Sequence, residues 1–327
     1  MKKTYNFGII GLGKIAHKFV QDLQWLPDAK LWAVAAKEQA RADEFGAKYG
    51  ATYYFGSYEA MLNCPDLDVV YVATPHVSHA EIALMLVQHK IPCIVEKPFA
   101  MNTQEAKAVF EAARANQTFV MEALWTRFLP HFLMVEKWIA DGEIGDIKSI
   151  KADFGFQTEK NPKSRLFNKT LGGGSLLDVG IYPLFLSYFF LGVPQKIHGI
   201  ADIGDTGVDE SCMALLGYES QQIAQIHSSI VTRTDTEAFI YGTEGNIKIH
   251  GRWHEQPASI TLFQNGKEAV SHGFDIQLPE YGYWYEAKSV MDCLEKGFIE
   301  NPKWTWQQTL DLQDIMDGVK AEIGLVY

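Results

Sequence analysis

A glycine-rich turn near the N-terminus constrains this chain more than any other short stretch. The apolar run Tyr5–Ile10 suits a buried strand, and the helical pattern Ile15–Leu26 follows it after Gly11-x-Gly13-x-x-Ala16. Gly11 permits a tight turn, Gly13 lets backbone N–H groups approach a pyrophosphate, and Ala16 allows close packing of helix on strand. A helix N-terminus favours bound negative charge. The motif indicates a dinucleotide site, and an ordinary strand–helix turn is the alternative.

The end of the second predicted strand bears on which dinucleotide binds. The strand Lys30–Ala36 is followed by Lys37, and Arg41 comes one helical turn later. In this type of fold the position lies beside the adenosine ribose, where an acidic residue binds the 2′-hydroxyl of NAD and a cation accommodates the 2′-phosphate of NADP. The cations favour NADP. NAD stays open, because a one-residue shift would place Glu38 there.

Strands and helices alternate at short intervals through residues 1–122, which predicts a doubly wound parallel α/β sheet, a Rossmann domain. Ligands bind at the carboxyl ends of the strands in such sheets. Residues at five predicted strand ends and in the turns after them converge there. The predicted cofactor-binding residues are Gly11, Gly13, Lys14, Ile15, Ala36, Lys37, Arg41, Thr74, Pro75, His76, His79, Glu96, Lys97, Pro98 and Glu122.

Lys97 is also a candidate for chemistry. It follows a predicted strand directly and precedes Pro98. From that place its ammonium could polarise an alcohol or carbonyl oxygen beside the nicotinamide, or lower the pKa of a neighbouring group. The alternative is a surface lysine at the exit of a strand.

The alternation stops after Glu122, so a second domain, 123–327, is predicted. Gly172-Gly173-Gly174 ends a polar loop at 158–170, which is either solvated or a lid. Ser175 could cap the helix that follows, in which Asp178 and Tyr182 share a face. A carboxylate and a phenol on an apolar helix are costly to bury unless they are satisfied, so a polar site is expected there; a bracing Tyr–Asp hydrogen bond is the alternative.

The region 195–274 predicts a mostly antiparallel sheet of about six strands whose open face needs a cover. A partner subunit is the simplest cover, so the second domain is predicted to be α+β and to form a homodimer through this sheet. Helices are predicted at about 281–296 and 306–323.

Composition excludes several classes of protein. The net charge is −11 with scattered basic residues, which argues against nucleic acid or an anionic membrane as the main partner. The four cysteines form no C-x-x-C pair, so no zinc site and no disulfide framework is expected. Glycines and charged residues interrupt the first apolar run, and the apolar stretch 179–193 is short for a membrane span. We expect a cytoplasmic protein.

Four motifs in this order make the chain resemble the Gfo/Idh/MocA oxidoreductase family along nearly its whole length. They are Gly11-x-Gly13-x-x-Ala16, Ala73-Thr74-Pro75, Glu96-Lys97-Pro98 and Gly173-Gly174-x-x-x-Asp178-x-Gly180. The commonest family pattern has a histidine four residues after the aspartate, where this chain has Tyr182. Together with Glu122-Ala123-Leu124-Trp125-Thr126-Arg127-Phe128, this tyrosine is similar to the subgroup of dimeric trans-dihydrodiol dehydrogenases and NADP-dependent D-xylose dehydrogenases.

The resemblance implies a Rossmann domain, an open-faced α+β domain that pairs subunits, a preference for NADP, and a sugar or cyclic diol as the small-molecule substrate. Tyr182 would be the acid/base and would also bind substrate, with Lys97 favouring the phenolate and Asp178 orienting the pair. Lys97 as the base is the alternative. Trp125, Arg127 and Phe128 would line the substrate pocket. An NAD-dependent polyol or inositol oxidoreductase and a non-catalytic nucleotide-binding regulator are the competing functions.

Overall fold

The computed structural model describes residues 3–256, 258–274 and 281–327. The chain forms two compact units, one of Met1–Trp125 with Gln277–Leu310 and one of Thr126–Ile276 with Asp311–Tyr327. The predicted division at 122/123 placed residues 277–310 in the second domain. Of these residues the structure describes 281–310, and they belong to the first unit.

The first unit is built on a parallel sheet, as predicted. Its strands are β1 (Tyr5–Ile10), β2 (Ala29–Ala35), β3 (Tyr53–Phe55), β4 (Val69–Val72), β5 (Cys93–Glu96) and β6 (Val120–Ala123). Among the described residues the strand order is β3-β2-β1-β4-β5-β6, and all neighbours pair in parallel. The residues of β4, β5 and β6 are all buried, as expected for a sheet covered on both faces. All six strands therefore end at the same edge.

Helices alternate with these strands: α1 (Lys14–Leu23), α2 (Gln39–Tyr49), α3 (Tyr58–Met61), α4 (His79–Gln88) and α5 (Thr103–Asn116). The start of α5 is specified locally by a capping box. Asn102 Oδ1 accepts the backbone N–H of Glu105 at 2.9 Å, and Asn102 Nδ2 donates to Glu105 Oε1 at 2.9 Å. The two residues that start this helix are thus neighbours in the sequence.

The return of the chain to the first unit depends on one buried carboxylate. Asp22 of α1 accepts the backbone N–H groups of Tyr281, Gly282 and Tyr283 at 2.6–3.1 Å, where α8 (Tyr283–Glu295) begins. A helix N-terminus needs such acceptors. Burial raises the pKa of Asp22, and these hydrogen bonds oppose that rise. No local pattern in the sequence predicts that α8 packs on α1, because the acceptor for its first N–H groups lies far away in the chain.

The second unit contains a mixed sheet with helices on one face. Its strands are β7 (Ile147–Gly155), β8 (Lys196–Ile203), β9 (Asp209–Gly217), β10 (Ile223–Ser229), β11 (Ala238–Gly242), β12 (Gly245–Ile249), β13 (Ile260–Gln264) and β14 (Val270–His272). Their order among the described residues is β14-β13-β12-β11-β7-β10-β9-β8. Among the strands that the structure describes in this sheet, only β7 and β10 pair in parallel. The sequence predicted about six strands after residue 195, and the described residues form seven, β8 to β14. The earlier strand β7 lies between β11 and β10 in the same sheet.

The helices α6 (Pro130–Ala140) and α7 (Ile181–Leu191) belong to this unit, and α9 (Trp306–Glu322) follows α8. Phe132 of α6 packs on Phe185 and Phe189 of α7, with ring centroids 5.0 and 5.1 Å apart. The segment Lys169–Leu191 is long and apolar enough for a membrane span, but 83% of its most apolar window is buried inside the fold. That burial is typical of a core helix, as the sequence predicted.

Candidate active site

The glycine turn after β1 fits a pyrophosphate. Gly11 has φ +89°, and a Cβ built on it would lie 2.7 Å from the backbone C and O of Ala73, so a side chain has neither room nor a favourable conformation there. Gly13 precedes α1, and a Cβ on it would meet no described heavy atom within 4 Å. No side-chain cap and no acidic residue occupies the first turn of α1. Its backbone N–H groups are thus placed for an anion, beside Lys14 and Ile15.

The predicted cations Lys37 and Arg41 follow the end of β2. Ala36 is buried and Lys37 is exposed. Arg41 lies near the glycine turn, with Nη2 at 3.5 Å from the backbone oxygen of Leu12. Glu38 is exposed at the start of α2 and makes no side-chain cap hydrogen bond there. The guanidinium near the turn adds to the positive charge beside the site for phosphate groups.

His79 joins the loops that follow β4 and β5. Its Nδ1 lies 2.8 Å from Pro98 O and its Nε2 lies 2.8 Å from Thr74 O, and the side chain is fully buried. Burial lowers the pKa of His79. Pro75 is followed by a short 3₁₀ turn, His76–Ser78. The ring centroids of His76 and His79 lie 5.7 Å apart. The buried side chain of His79, a predicted cofactor residue, thus connects these two loops.

Lys97 is half-buried and directly follows β5. Its backbone N–H donates to Glu96 Oε2 at 3.2 Å, and Tyr71 donates its hydroxyl proton to Glu96 Oε1. The Lys97–Pro98 peptide is cis. The next backbone N–H, that of Phe99, donates to Glu122 Oε1 at 3.0 Å. The loop that carries Lys97 is therefore held on both sides.

Glu122 is a brace in the interior. Besides Phe99, it accepts Trp304 Nε1 at 3.0 Å and Thr309 Oγ1 at 3.1 Å, and it is 1% exposed. Burial raises the pKa of Glu122 to about 7, against the effect of these hydrogen bonds. A direct contact of Glu122 with a cofactor stays a prediction. Its hydrogen bond from Phe99 ties it to the loop that carries Lys97.

The three predicted substrate-pocket residues after β6 have different surroundings. Trp125 stacks on Tyr283, with ring centroids 4.4 Å apart and planes 10° apart. Arg127 is buried and bidentate on Glu136 of α6, at 2.9 and 3.1 Å. Phe128 is 3% exposed. The ion pair gives Arg127 a structural role in the second unit, and substrate contact by these three residues stays a prediction.

Asp178 and Tyr182 lie on one segment, in a more irregular form than predicted. Leu176–Gly180 is a single π-helical turn, and α7 begins directly after it. Asp178 Oδ1 accepts Arg165 Nη1 at 2.6 Å. Tyr182 is 5% exposed, and its ring centroid lies 5.0 Å from that of His254 and 5.7 Å from that of Phe154. Such π-turns are frequent at functional sites.

Sequence reasoning missed two neighbours of this segment. Arg165 lies in the polar loop 158–170, for which the sequence predicted only a solvated loop or a lid; the signal that could have singled it out is the loop's several cations. His254 had no signal in the sequence, because it reaches Tyr182 from a turn after β12. Its ring stacks on Phe154, with centroids 3.8 Å apart. The predicted cap by Ser175 is wrong, because its side chain makes no cap hydrogen bond. Asp209 instead accepts the backbone N–H of Leu176, the first residue of the turn.

Comparison with known proteins identifies the family. Residues 5–124 match the model of the oxidoreductase family with an NAD-binding Rossmann fold, and residues 132–248 match the GFO/IDH/MocA C-terminal domain. The chain belongs to the Gfo/Idh/MocA oxidoreductase family. It is 36% identical to the trans-1,2-dihydrobenzene-1,2-diol dehydrogenase of Danio rerio, over 98% of this chain and 97% of that protein. The human enzyme of the same name is 32% identical, with the same shares covered.

Solved structures share the fold. A 3-ketoreductase from Actinomadura kijaniata in complex with NADP and TDP-benzene superposes with a TM-score of 0.88 at 23% identity, over 98% of each chain. An aldose–aldose oxidoreductase from Caulobacter crescentus, complexed with glycerol, has a TM-score of 0.88 at 21% identity, over 98% of this chain and 97% of that one. The predicted family and fold class are confirmed. The chain is an NAD(P)-dependent oxidoreductase, which sets aside the regulator alternative.

Proposed function

We propose that this enzyme oxidises a CH–OH group of a trans-dihydrodiol or a sugar with NADP. The end-to-end similarity to trans-dihydrodiol dehydrogenases carries the proposal, since it covers both units. The tyrosine at position 182 supports a cyclic diol or sugar over an inositol-type substrate. We also propose a cytoplasmic location, because the four cysteines are buried and form no disulfide with one another.

We assign the choice of NADP to the cations after β2. The exposed ammonium of Lys37 and the guanidinium of Arg41 suit a 2′-phosphate. Lys37→Ala should raise KM for NADP at least tenfold and leave KM for NAD nearly unchanged, since a lost charge-assisted contact to a phosphate is worth more than one factor of ten. Equal effects on both cofactors would favour the NAD-dependent polyol reading.

In the proposed mechanism NADP, held by the glycine turn and the cations after β2, would supply the acceptor for the hydride that leaves the substrate carbon. Tyr182 takes the proton of the reacting hydroxyl, and the Lys97 ammonium stabilises the negative charge that develops on oxygen. Asp178, held by Arg165 at 2.6 Å, orients the polar groups of its segment. Lys97 as the proton acceptor, with Tyr182 binding substrate, is the competing assignment.

The test is a screen for NADP reduction at 340 nm across trans-dihydrodiols, pentoses, hexoses and cyclic diols. Tyr182→Phe should bind NADPH normally and lose at least a hundredfold in kcat, the usual contribution of a general base. Tyr188→Phe is the matched control, since Tyr188 lies on the same helix and donates its hydroxyl to Asp311 at 2.8 Å. Near-normal kcat in Tyr182→Phe would transfer the base role to Lys97.

We further propose a homodimer through the exposed face of the second sheet. Ile200, Met213, Leu215 and Ile223 are 51–80% exposed on neighbouring strands, and Ile200 pairs directly with Met213. Exposed apolar clusters of this kind mark protein interfaces. Light scattering should show a dimer that dissociates in Met213→Glu/Leu215→Glu. The same substitution at Trp25, an exposed residue of the first unit, should leave the mass unchanged.

A further inference from the structure

A buried carboxylate reaches the start of the segment that carries Asp178 and Tyr182. Asp209, the first residue of β9, is fully buried. Its Oδ2 accepts the hydroxyl of Ser175 at 2.7 Å and the backbone N–H of Leu176 at 2.6 Å. Leu176 opens the π-helical turn. The contact therefore acts on the first residue of the turn, two positions before Asp178.

The start of this turn has no local cap. Ser175 already has helical backbone angles, φ −72° and ψ −37°, and makes no side-chain cap hydrogen bond. Backbone N–H groups at the start of a helix need acceptors, and a negative charge there is favoured by the aligned peptide dipoles. Asp209 supplies both from a strand more than thirty residues further along the chain. The position of Asp209 at the start of β9 therefore determines where the π-helical turn begins.

The neighbouring backbone is shaped around this carboxylate. Gly174 has φ +117°, and a Cβ built on it would lie 2.2 Å from Asp209 Oδ1. On the other side, Ser228 of β10 has its Oγ 2.9 Å from that of Ser175. These contacts fix the carboxylate of Asp209 against Ser175 and against the backbone of Gly174. The start of the turn therefore has little freedom to shift.

We propose that Asp209 is a positioning residue that sets where Asp178 and Tyr182 lie by fixing the start of their segment. This inference rests on the proposed function, because it assigns those two side chains to the reaction. Displacing reacting groups by about 1 Å costs roughly a hundredfold in rate. An unpaired or protonated Asp209 would release the turn and lower kcat without touching the dinucleotide turn of the first unit.

The ionisation of Asp209 makes the inference testable by pH. Burial raises the pKa of Asp209 to about 6, although the bonds from Ser175 and Leu176 oppose it. The carboxylate therefore loses its charge as the pH falls through about 6. Cys212 and Tyr327 face it as well, but burial raises their pKa values further above neutrality.

Two ion pairs lie close to the same region and must be separated from Asp209 in the experiment. Lys160 Nζ lies 2.6 Å from Glu210 Oε1, on the residue after Asp209. Arg165 and Asp178 form the second pair. Neither pair includes Asp209, and all four of their side chains are kept in a variant at position 209. A pH effect that disappears in that variant therefore depends on Asp209.

The variant is Asp209→Asn, which keeps the shape and one acceptor oxygen and removes the charge. The matched control is Asp311→Asn, which removes a carboxylate that accepts Tyr188 Oη at the far part of the same helix, α7. We expect kcat of Asp209→Asn to fall at least tenfold with an unchanged Kd for NADPH. The fall in wild-type kcat below about pH 6 should be absent from the variant and present in the control.

A second readout separates this inference from the proposed function. The ζ-¹³C NMR signal of Tyr182, assigned by its loss in Tyr182→Phe, should move in Asp209→Asn and stay in place in Asp311→Asn. A moved signal in an enzyme without activity on any diol or sugar would refute the proposed function and support the positioning role. An unmoved signal with wild-type kcat would overturn the inference. If Asp209→Asn does not fold, Ser175→Ala removes one of the two donors, and an unchanged kcat in that variant would overturn the inference equally.

Discussion

Glu122 gives the sharpest quantitative prediction, because its carboxyl group is buried and its pKa is raised to about 7. Glu122→Gln removes the ionisable group and keeps the length of the side chain. The amide retains one acceptor oxygen for the three donors, Phe99 N, Trp304 Nε1 and Thr309 Oγ1. At least one N–H then loses its acceptor, a cost of roughly 1–3 kcal/mol that does not depend on pH.

The pH-dependent part has a definite sign. An exposed glutamate has a pKa near 4.5, so between about pH 4.5 and 7 the folded protein holds a proton on Glu122 that the unfolded chain has lost. The stability from this group is fully present below about pH 4.5 and is lost as the pH rises through about 7. A shift of roughly 2.5 units corresponds to about 3 kcal/mol. Glu122→Gln lacks this loss.

The free energy of unfolding should therefore be measured by urea denaturation at several values between about pH 5 and 8, for wild type and variant. The difference, variant minus wild type, should rise by about 2–3 kcal/mol over that range, because all other titrating groups cancel in it. Glu111→Gln, on the exposed surface of α5, controls for the change in net charge. A difference that stays constant within about 0.5 kcal/mol would refute the assignment of the proton to Glu122.

Two further predictions test the elements that hold the first unit. Gly11→Ala should weaken NADPH binding at least tenfold, as measured by fluorescence titration, and should lower the free energy of unfolding by roughly 1–3 kcal/mol. The reason is that the added Cβ would lie 2.7 Å from the backbone of Ala73 at a residue whose φ is +89°. Unchanged affinity would contradict this geometry. Asp22→Ala should lower stability by roughly 2–4 kcal/mol in denaturant, because three backbone N–H groups lose their acceptor; a loss below about 0.5 kcal/mol would show that α8 needs no such cap.

The first unit could be predicted from sequence because its signals are local. Each strand is a short apolar run, and the residue after the strand is the one that reaches the functional edge. The turn at Gly11, the cation at Lys37 and the lysine at position 97 all follow this rule. The capping box at Asn102 is equally local, and its helix begins one residue after it. Parallel pairing then requires only that the connections be helical.

The second half of the site was predictable only in part, because its geometry comes from contacts between distant segments. Asp178 and Tyr182 could be singled out as polar residues on an apolar helix, but their neighbours could not. Arg165 arrives from a loop, His254 from a turn after β12, and Asp209 from the start of β9. None of these approaches leaves a periodic pattern in the sequence. A carboxylate can be buried here only because such partners receive it, so the polar residues of the helix and their distant partners are physically one unit. The sequence shows the polar residues of the helix and hides their distant partners. Tyr182→Phe therefore tests the residue that the sequence shows, and Asp209→Asn tests a partner that only the structure reveals.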